Sequence, residues 1–378
     1  MPTIDRTAWR SEFPSVADRV HMNHAGLSPI SRRVAAAIRD FADQAAHAPS
    51  VHYAAWCARA DATRAAYAKL IGALTEEIAF VKNTAEGLSL VAAGLDWRSG
   101  DNVVALADEY PSNVYPWLGL QRYGVETRLA PRRGVRFGVD EIAAVTDRRT
   151  RVVTVSAVDW QSGFRPDLAA LGTFCRERGI LFVVDGIQAV GALRVDVHGC
   201  GIDAMAVGGH KWLLAPEGCG TLFVATRLLD RLTPVLWGWK SVSDADTYLP
   251  YHFEPRADAA KFEPGSQMHL GICAFGAALD LQFAFGPAAI EAAVLEVTDA
   301  LQDALRGLGA TILSPRHGAE RSAILTFARG DSATLHAALT AAGVVCRQRM
   351  GGVRLAPHCY TDGDDVERVL QVVGASRA

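Results

Sequence analysis

The chain is punctuated by short apolar runs that do not alternate with polar residues. IAFV at 78–81, NVVAL at 102–106, VVTVSAV at 152–158, ILFVV at 180–184, AMAV at 204–207 and TLFVA at 221–225 are each bounded by turn-forming residues. A strand with one wet face alternates apolar and polar side chains, so an unbroken apolar run implies a strand covered on both faces. Stretches long enough for a helix, such as TAEGLSLVAAGL and RPDLAALGTFCRERG, lie between several of the runs. Together they predict an α/β protein with a mainly parallel sheet between layers of helices. Ser31 is placed to cap an Ala-rich helix over SRRVAAAIRDFADQAAH, and a second helical pattern runs through Trp56, Tyr67 and Leu70.

The pattern changes after about residue 255. FEPRADAAKFEPGSQ leads into a long Ala/Leu-rich helical region, then SAILTFA, a helix near 332–342, VVCRQ, GVRLA and a last helix. This predicts a separate small α/β domain. The expected division is an N-terminal arm at 1–20, a large domain at 21–255 and a small C-terminal domain at 256–378. With 38 basic and 41 acidic side chains the net charge is -3, which gives no electrostatic case for nucleic acid or an acidic membrane surface. No apolar run reaches the roughly 18 residues needed to span a bilayer, and MPTIDRTAWRSEFPS lacks the apolar centre of a signal peptide. The expectation is a cytoplasmic protein without nucleic-acid or membrane partners. Seven scattered cysteines with no C-x-x-C pair predict neither a disulfide framework nor a bound metal.

The densest chemical signal is ILFVVDGIQAVGALRVDVHGCGIDAMAVGGHKWLLAPEGCGTLFV, residues 180–224. Asp185 ends one apolar strand, and His210 and Lys211 follow another. Ligands of open α/β sheets sit outside the carboxyl ends of the strands, so both groups can face one crevice. An acid and a lysine so placed suit a pyridine-aldehyde cofactor, pyridoxal 5′-phosphate (PLP), which acts as an electron sink best when its ring nitrogen is protonated. A carboxylate beside that nitrogen keeps the proton on. A lysine partly buried beside a cation loses its own proton more readily and can form the Schiff base. Gln188, a helical turn beyond Asp185, is placed to donate to the cofactor's phenolic oxygen.

In this DG-x-Q-A-x-G…G-H-K-W context the chain resembles the class V aminotransferases among fold-type I PLP-dependent enzymes, relatives of cysteine desulfurases, isopenicillin N epimerase and kynureninase. The resemblance runs from about Asn23 to Tyr360. It implies the fold-type I architecture, a large domain with a mainly parallel sheet plus a small C-terminal α/β domain. It assigns Lys211 to the Schiff base, Asp185 to the pyridine nitrogen, Gln188 to the phenolic oxygen and His210 to the neighbourhood of the phosphate. ALADEYPSNVYPW resembles the stretch whose ring stacks on the cofactor, which nominates Tyr110. VKNTAEGLSL resembles the phosphate-binding turn and helix, so the amides of Thr84, Ala85 and Glu86 would open on the phosphate. KFEPGSQ resembles the segment that reaches a neighbouring subunit's phosphate; it nominates Ser266 and implies a homodimer with shared active sites. GGVRLAPHCYTDGDDVE nominates Arg354 as the fork that grips the carboxylate of a small amino-acid substrate. Asn23 and His24 in HMNHAGLSP are expected at the substrate mouth, and Gln161 near the cofactor. Trp237 and Trp239 are candidates for an apolar wall, and Arg165, Arg256 and Arg347 for a second anionic group.

The chain also departs from the family pattern. Ala85 and Gly208 stand where a phosphate-binding threonine and a serine are usual. Desulfurases carry a nucleophilic cysteine on a loop before the carboxylate-binding arginine. Here RQRMGGVR, from Arg347 to Arg354, is too short for that loop and has no cysteine. Cys346 and Cys359 are expected to be packed thiols. A nucleotide-binding oxidoreductase is disfavoured, because no strand is followed by G-x-G-x-x-G and GGHKW is not a Walker motif. A non-catalytic protein of the same fold is disfavoured by Lys211, Asp185 and Arg354 together. Cα deprotonation by the freed lysine leads to transamination, epimerisation or, with a leaving group at Cβ, elimination as in C–S lyases. The residues leave that choice open.

Overall fold

The computed structural model describes residues 5–315 and 318–376; the first four residues of the expected arm lie outside them. A sheet of seven strands runs in the order Ile78–Val81, Gly220–Val224, Ala204–Gly208, Leu181–Asp185, Thr150–Ser156, Asn102–Leu106 and Glu126–Ala130. Gly220–Val224 is antiparallel to both of its neighbours, and the pairings from Ala204–Gly208 outward are parallel.

The unbroken apolar runs have a direct structural cause. Side chains alternate between two cores, one on each face of the sheet. Val104, Val153, Phe182, Val184, Met205, Val207 and Phe223 enter one core. Val103, Val152, Leu181, Val183, Ala204, Ala206 and Leu222 enter the other. Burying each large side chain contributes roughly 1.5–3 kcal/mol, so a polar residue at any of these positions would be costly on either face.

Helices cover both faces. Arg32–His47 is capped by Ser31, whose side chain accepts from the Val34 amide at 3.3 Å. Leu168–Glu177 is capped by Asp167 in the same way. The helix His269–Phe285 packs against Arg32–His47 and Pro49–Ile71, and its Ile272, Phe275, Ala278 and Leu279 join the core of the large sheet. The change of core therefore comes within the helix Pro287–Gly307, whose Ile290, Ala293 and Val294 still join the core of the large sheet while Val297, Leu301 and Leu305 join the next, some forty residues after the composition changes.

A third core serves the C-terminal unit. Its antiparallel sheet has the order Arg347–Arg349, Gly352–Leu355, Leu325–Ala328, Thr311–Ile312. Ser332–Ala341 and Gly363–Ala375 contribute Leu335, Leu339, Val369 and Val373 to that core. The N-terminal segment crosses to this unit: Val20–His21 pairs in parallel with Val344–Val345, and Asn23 bridges to Ala356. That crossing brings the start of the chain and the C-terminal sheet together over the carboxyl ends of the large sheet. No single helix among the described residues is long and apolar enough to cross a membrane.

Candidate active site

A cavity of about 340 Å³ opens at the carboxyl ends of the large sheet. Asp185 is the last residue of its strand and lies in register with Ala206 of the next. That next strand ends at Gly208, so the chain reaches Lys211 within three residues. A tight turn then holds the lysine: the Leu214 amide donates to the Lys211 carbonyl at 3.0 Å, and the Ala215 amide to Gly209. Leu214, fully buried, sits at φ +60°, a conformation that costs a branched residue roughly 1–2 kcal/mol. Gly191, at φ +104°, lets the backbone pass against this turn, since a Cβ there would lie 2.4 Å from the Trp212 carbonyl oxygen.

Both reactive groups are buried, Asp185 at 1% exposure and Lys211 at 8%. Burial raises the Asp185 carboxyl above the usual range; the Ile187 amide, bonded to it at 3.0 Å, and Lys211 oppose the rise, while Glu109 adds to it. Burial likewise holds the Lys211 ammonium below the ordinary lysine range, opposed by Asp185 and assisted by Arg354 and Arg349. A carboxyl of raised proton affinity is suited to sharing a proton with a pyridine nitrogen against it. A lysine of lowered affinity is suited to giving and taking one.

Tyr110 comes to this cavity, its ring centroid 5.5 Å from Lys211 Nζ and edge-on to Trp160 at 5.4 Å. Gln188 lines the wall, donating one amide hydrogen to the Ala25 carbonyl at 3.0 Å and accepting from Trp212 Nε1 at 3.1 Å. Thr84 and Ala85 open the helix Thr84–Gly94 onto the cavity, where first-turn amides have no acceptor within the helix. The Glu86 amide does not join them, because the Asn83 cap accepts from it at 2.9 Å. The Gly208 amide donates to Thr84 Oγ1 at 3.0 Å. Gly208 has little room for the usual serine: a Cβ there would stand 3.1 Å from both the His210 ring and Ile187. His210 is on the lining, its ring held below the ordinary histidine range by burial and then by Lys211.

Arg354, 2% exposed, donates through Nη1 to the Trp160 carbonyl at 2.6 Å and through Nη2 to Asn23 Oδ1 at 3.2 Å. Its Nε is buried without a partner. Burial and two neighbouring arginines, Arg349 and Arg347, push it down to about 10. These are the features of a site built for a ligand: a buried acid, a buried amine and an unsatisfied guanidinium face one void large enough for a small cofactor. PLP fits this set: Asp185 would hold its ring nitrogen, Lys211 its aldehyde carbon and the Thr84–Ala85 turn its phosphate.

Other expected residues lie elsewhere. His24 is not at a substrate mouth: it is fully buried behind the cavity wall, with Nδ1 on the Ala356 carbonyl at 2.8 Å and Nε2 on the Tyr360 hydroxyl at 2.7 Å. Asn23 acts through Arg354 rather than on the lining. Gln161 is off the lining too. Its amide is tied to Asp159 and its carbonyl to Thr326, while Trp160 takes the wall. Ser266 lines a second cavity, of about 630 Å³, that shares Asn83 with the first. Trp237 and Trp239 pack on Phe253 and Tyr248 away from the Lys211 cavity. Arg165 pairs with Glu291 and Arg256 with Asp258, and Arg347 is exposed, so none is the second cation. The cavity takes Arg349 instead. Glu109, also not foreseen, is buried behind Tyr110 and accepts from the Tyr110 amide, the Ser156 amide and the Ser156 hydroxyl at 2.8–2.9 Å.

The chain is similar over most of its length to known proteins. The family model described as aminotransferase class V matches residues 20–369. A probable cysteine desulfurase of Methanothermobacter thermautotrophicus is 33% identical over 301 residues, 77% of this chain and 74% of the relative. An uncharacterised aminotransferase of Schizosaccharomyces pombe is 28% identical over 375 residues, 97% of this chain and 94% of the relative. Among solved structures, the cystine C–S lyase C-DES, in complex with its reaction product cysteine persulfide, superposes with a TM-score of 0.89 at 22% identity, covering 97% of this chain and 100% of that one.

Proposed function

We propose, from the premise that the chain belongs to the class V aminotransferase family of PLP-dependent enzymes, that it deprotonates an amino acid at Cα with Lys211 as the proton carrier. We propose further that it does not form a persulfide on a cysteine of its own. The observation that carries the first part is one cavity shared by Lys211, Asp185 and the unsatisfied Arg354.

PLP bound there supplies an electron sink for the charge left when a bond at the substrate α-carbon breaks. Arg354 binds the substrate carboxylate with the donors that Trp160 and Asn23 leave over, which fixes the α-carbon relative to Lys211. Lys211 Nζ takes the α-proton and holds it for return, and its lowered proton affinity favours that traffic near neutral pH. Asp185 holds a proton at the ring nitrogen. The half-exposed Tyr110 ring lies on the same lining, and burial of Asp185, Lys211 and Arg354 keeps water from the reacting groups.

Two findings support the second part. Register pairs Arg349 with Gly352, so the hairpin turn is only Met350 and Gly351, both at positive φ. The nearby thiols are poor nucleophiles: burial pushes Cys346 up to about 11 and holds the fully buried Cys359 well above the usual thiol range. Elimination at Cβ needs no enzyme thiol and stands as the second reading. A homodimer is also proposed. Ser266 lies outside its own chain's Lys211 cavity, and the nearby loop exposes Leu249, Tyr251 and Phe253 at 71%, 93% and 71%.

The test is to incubate the PLP-loaded enzyme with amino acids and thio-amino acids and follow keto acid, pyruvate, sulfide and optical rotation. Cα exchange of substrate hydrogen with solvent deuterium is expected in every productive case. Pyruvate formed without an amino acceptor would select elimination. Absence of Cα exchange with any amino acid would overturn the proposal.

A further inference from the structure

We infer that Arg349 forms a second anion subsite, which makes the preferred substrate an α-amino acid with an additional negative group on its side chain. This rests on the reading that Arg354 takes the α-carboxylate.

Three cations, Lys211, Arg349 and Arg354, line one cavity, whose only acid among the described residues is Asp185, placed at the sheet. Neither arginine makes an ion pair with a carboxylate among the described residues, whereas Arg132, Arg165 and Arg256 do. Uncompensated cations in a partly desolvated site repel one another, and such an arrangement is costly until an anion enters. One α-carboxylate neutralises Arg354 and leaves Arg349 over.

Arg349 is also held in place. It ends the strand Arg347–Arg349, with its guanidinium 5.2 Å from the Trp160 ring centroid and one Nη1 hydrogen on the Gln348 carbonyl at 2.7 Å. Its Nε is buried without a partner, like that of Arg354. Trp160 organises both forks, since its ring carries Arg349 and its carbonyl holds Arg354. A stacked guanidinium with unspent donors is pre-ordered for a planar or tetrahedral anion. The shared chemistry is a side-chain carboxylate or sulfur oxyanion.

The test uses matched pairs on the PLP-loaded enzyme: aspartate with asparagine, glutamate with glutamine, cysteate with serine. Wild type is expected to favour the anionic members in kcat/KM. Arg349→Gln should shrink that preference about ten-fold, through KM, and Arg349→Lys should restore part of it. Visible absorbance of the bound cofactor checks that both variants stay loaded. Calorimetric binding of glutarate against butyrate gives a readout independent of turnover, and Arg349→Gln should weaken glutarate selectively. If no amino acid reacts, the proposed reaction fails while the glutarate comparison still decides the subsite. A wild-type preference for the neutral members would overturn the inference. So would a preference and a glutarate affinity that Arg349→Gln leaves alone.

Discussion

Two groups of buried or half-buried titratable side chains lie back to back across the Lys211–Trp212 peptide. On one side Asp185, Lys211, Arg349 and Arg354 face a void. On the other, His24 and His358 stack on Trp212 at 5.8 and 6.0 Å and pack with Tyr360, Trp9 and Phe13, with His21 edge-on to His24. Burial perturbs both groups in the same direction for their cations: His21 and His358 fall to about 4, and Lys211 falls below its usual range. The difference is what surrounds them. The histidine cluster is close-packed and welds the N-terminal segment to the C-terminal sheet. The cavity leaves guanidinium donors unspent beside a void, whereas the cluster's unpartnered nitrogens, Trp9 Nε1 and His358 Nε2, belong to rings packed on each other. A displaced proton affinity marks chemistry here only where it opens on empty space.

The comparison breaks most visibly at Lys211. Lys211→Ala should lower turnover by roughly a thousand-fold or more, with a cooperative unfolding transition preserved in calorimetry. Arg354→Gln is next: kcat/KM should fall by about a hundred-fold, mainly through KM, because the fork to the substrate carboxylate is lost. A loss confined to kcat would contradict the assigned role.

The histidine side should answer in stability instead. His24→Phe loses both ring hydrogen bonds and strands the Tyr360 hydroxyl, costing about 1–3 kcal/mol in denaturant unfolding. The KM for a substrate should shift less than about three-fold. The pH dependence has a definite sign. His21 and His358 bind protons more weakly folded than unfolded, so the unfolded state takes up more protons between pH 6.5 and 4. Stability from the cluster is complete above about pH 6.5 and is lost as pH falls toward 4, which a Tm series across that window reads out. A flat Tm there would remove the buried-neutral assignment. Gln161→Ala should do least, within about two-fold in kcat/KM, since its side chain is off the lining.

The sheet was legible because double burial leaves a one-letter trace, the unbroken apolar run. Asp185 and Lys211 were legible because they stand at or just beyond strand ends, where ligands gather. Arg349 was not separable from Arg347 by pattern, since both lie on one strand two residues apart. The position of the Met350–Gly351 turn brings Arg349 to the cavity. His24 was misplaced because its neighbours Ala25 and Gly26 do line the void while its own ring turns into the packed cluster. Glu109 reads in sequence as a loop acid. Only the fold shows it buried and bonded to Ser156.

The most direct measurement is borohydride reduction of the PLP-loaded protein, followed by peptide mass spectrometry. If Lys211 carries the cofactor, the visible absorbance is lost and a reduced adduct appears on Lys211. An adduct on Lys82, Lys240 or Lys261 instead, or a protein that stays colourless with PLP, would contradict that assignment.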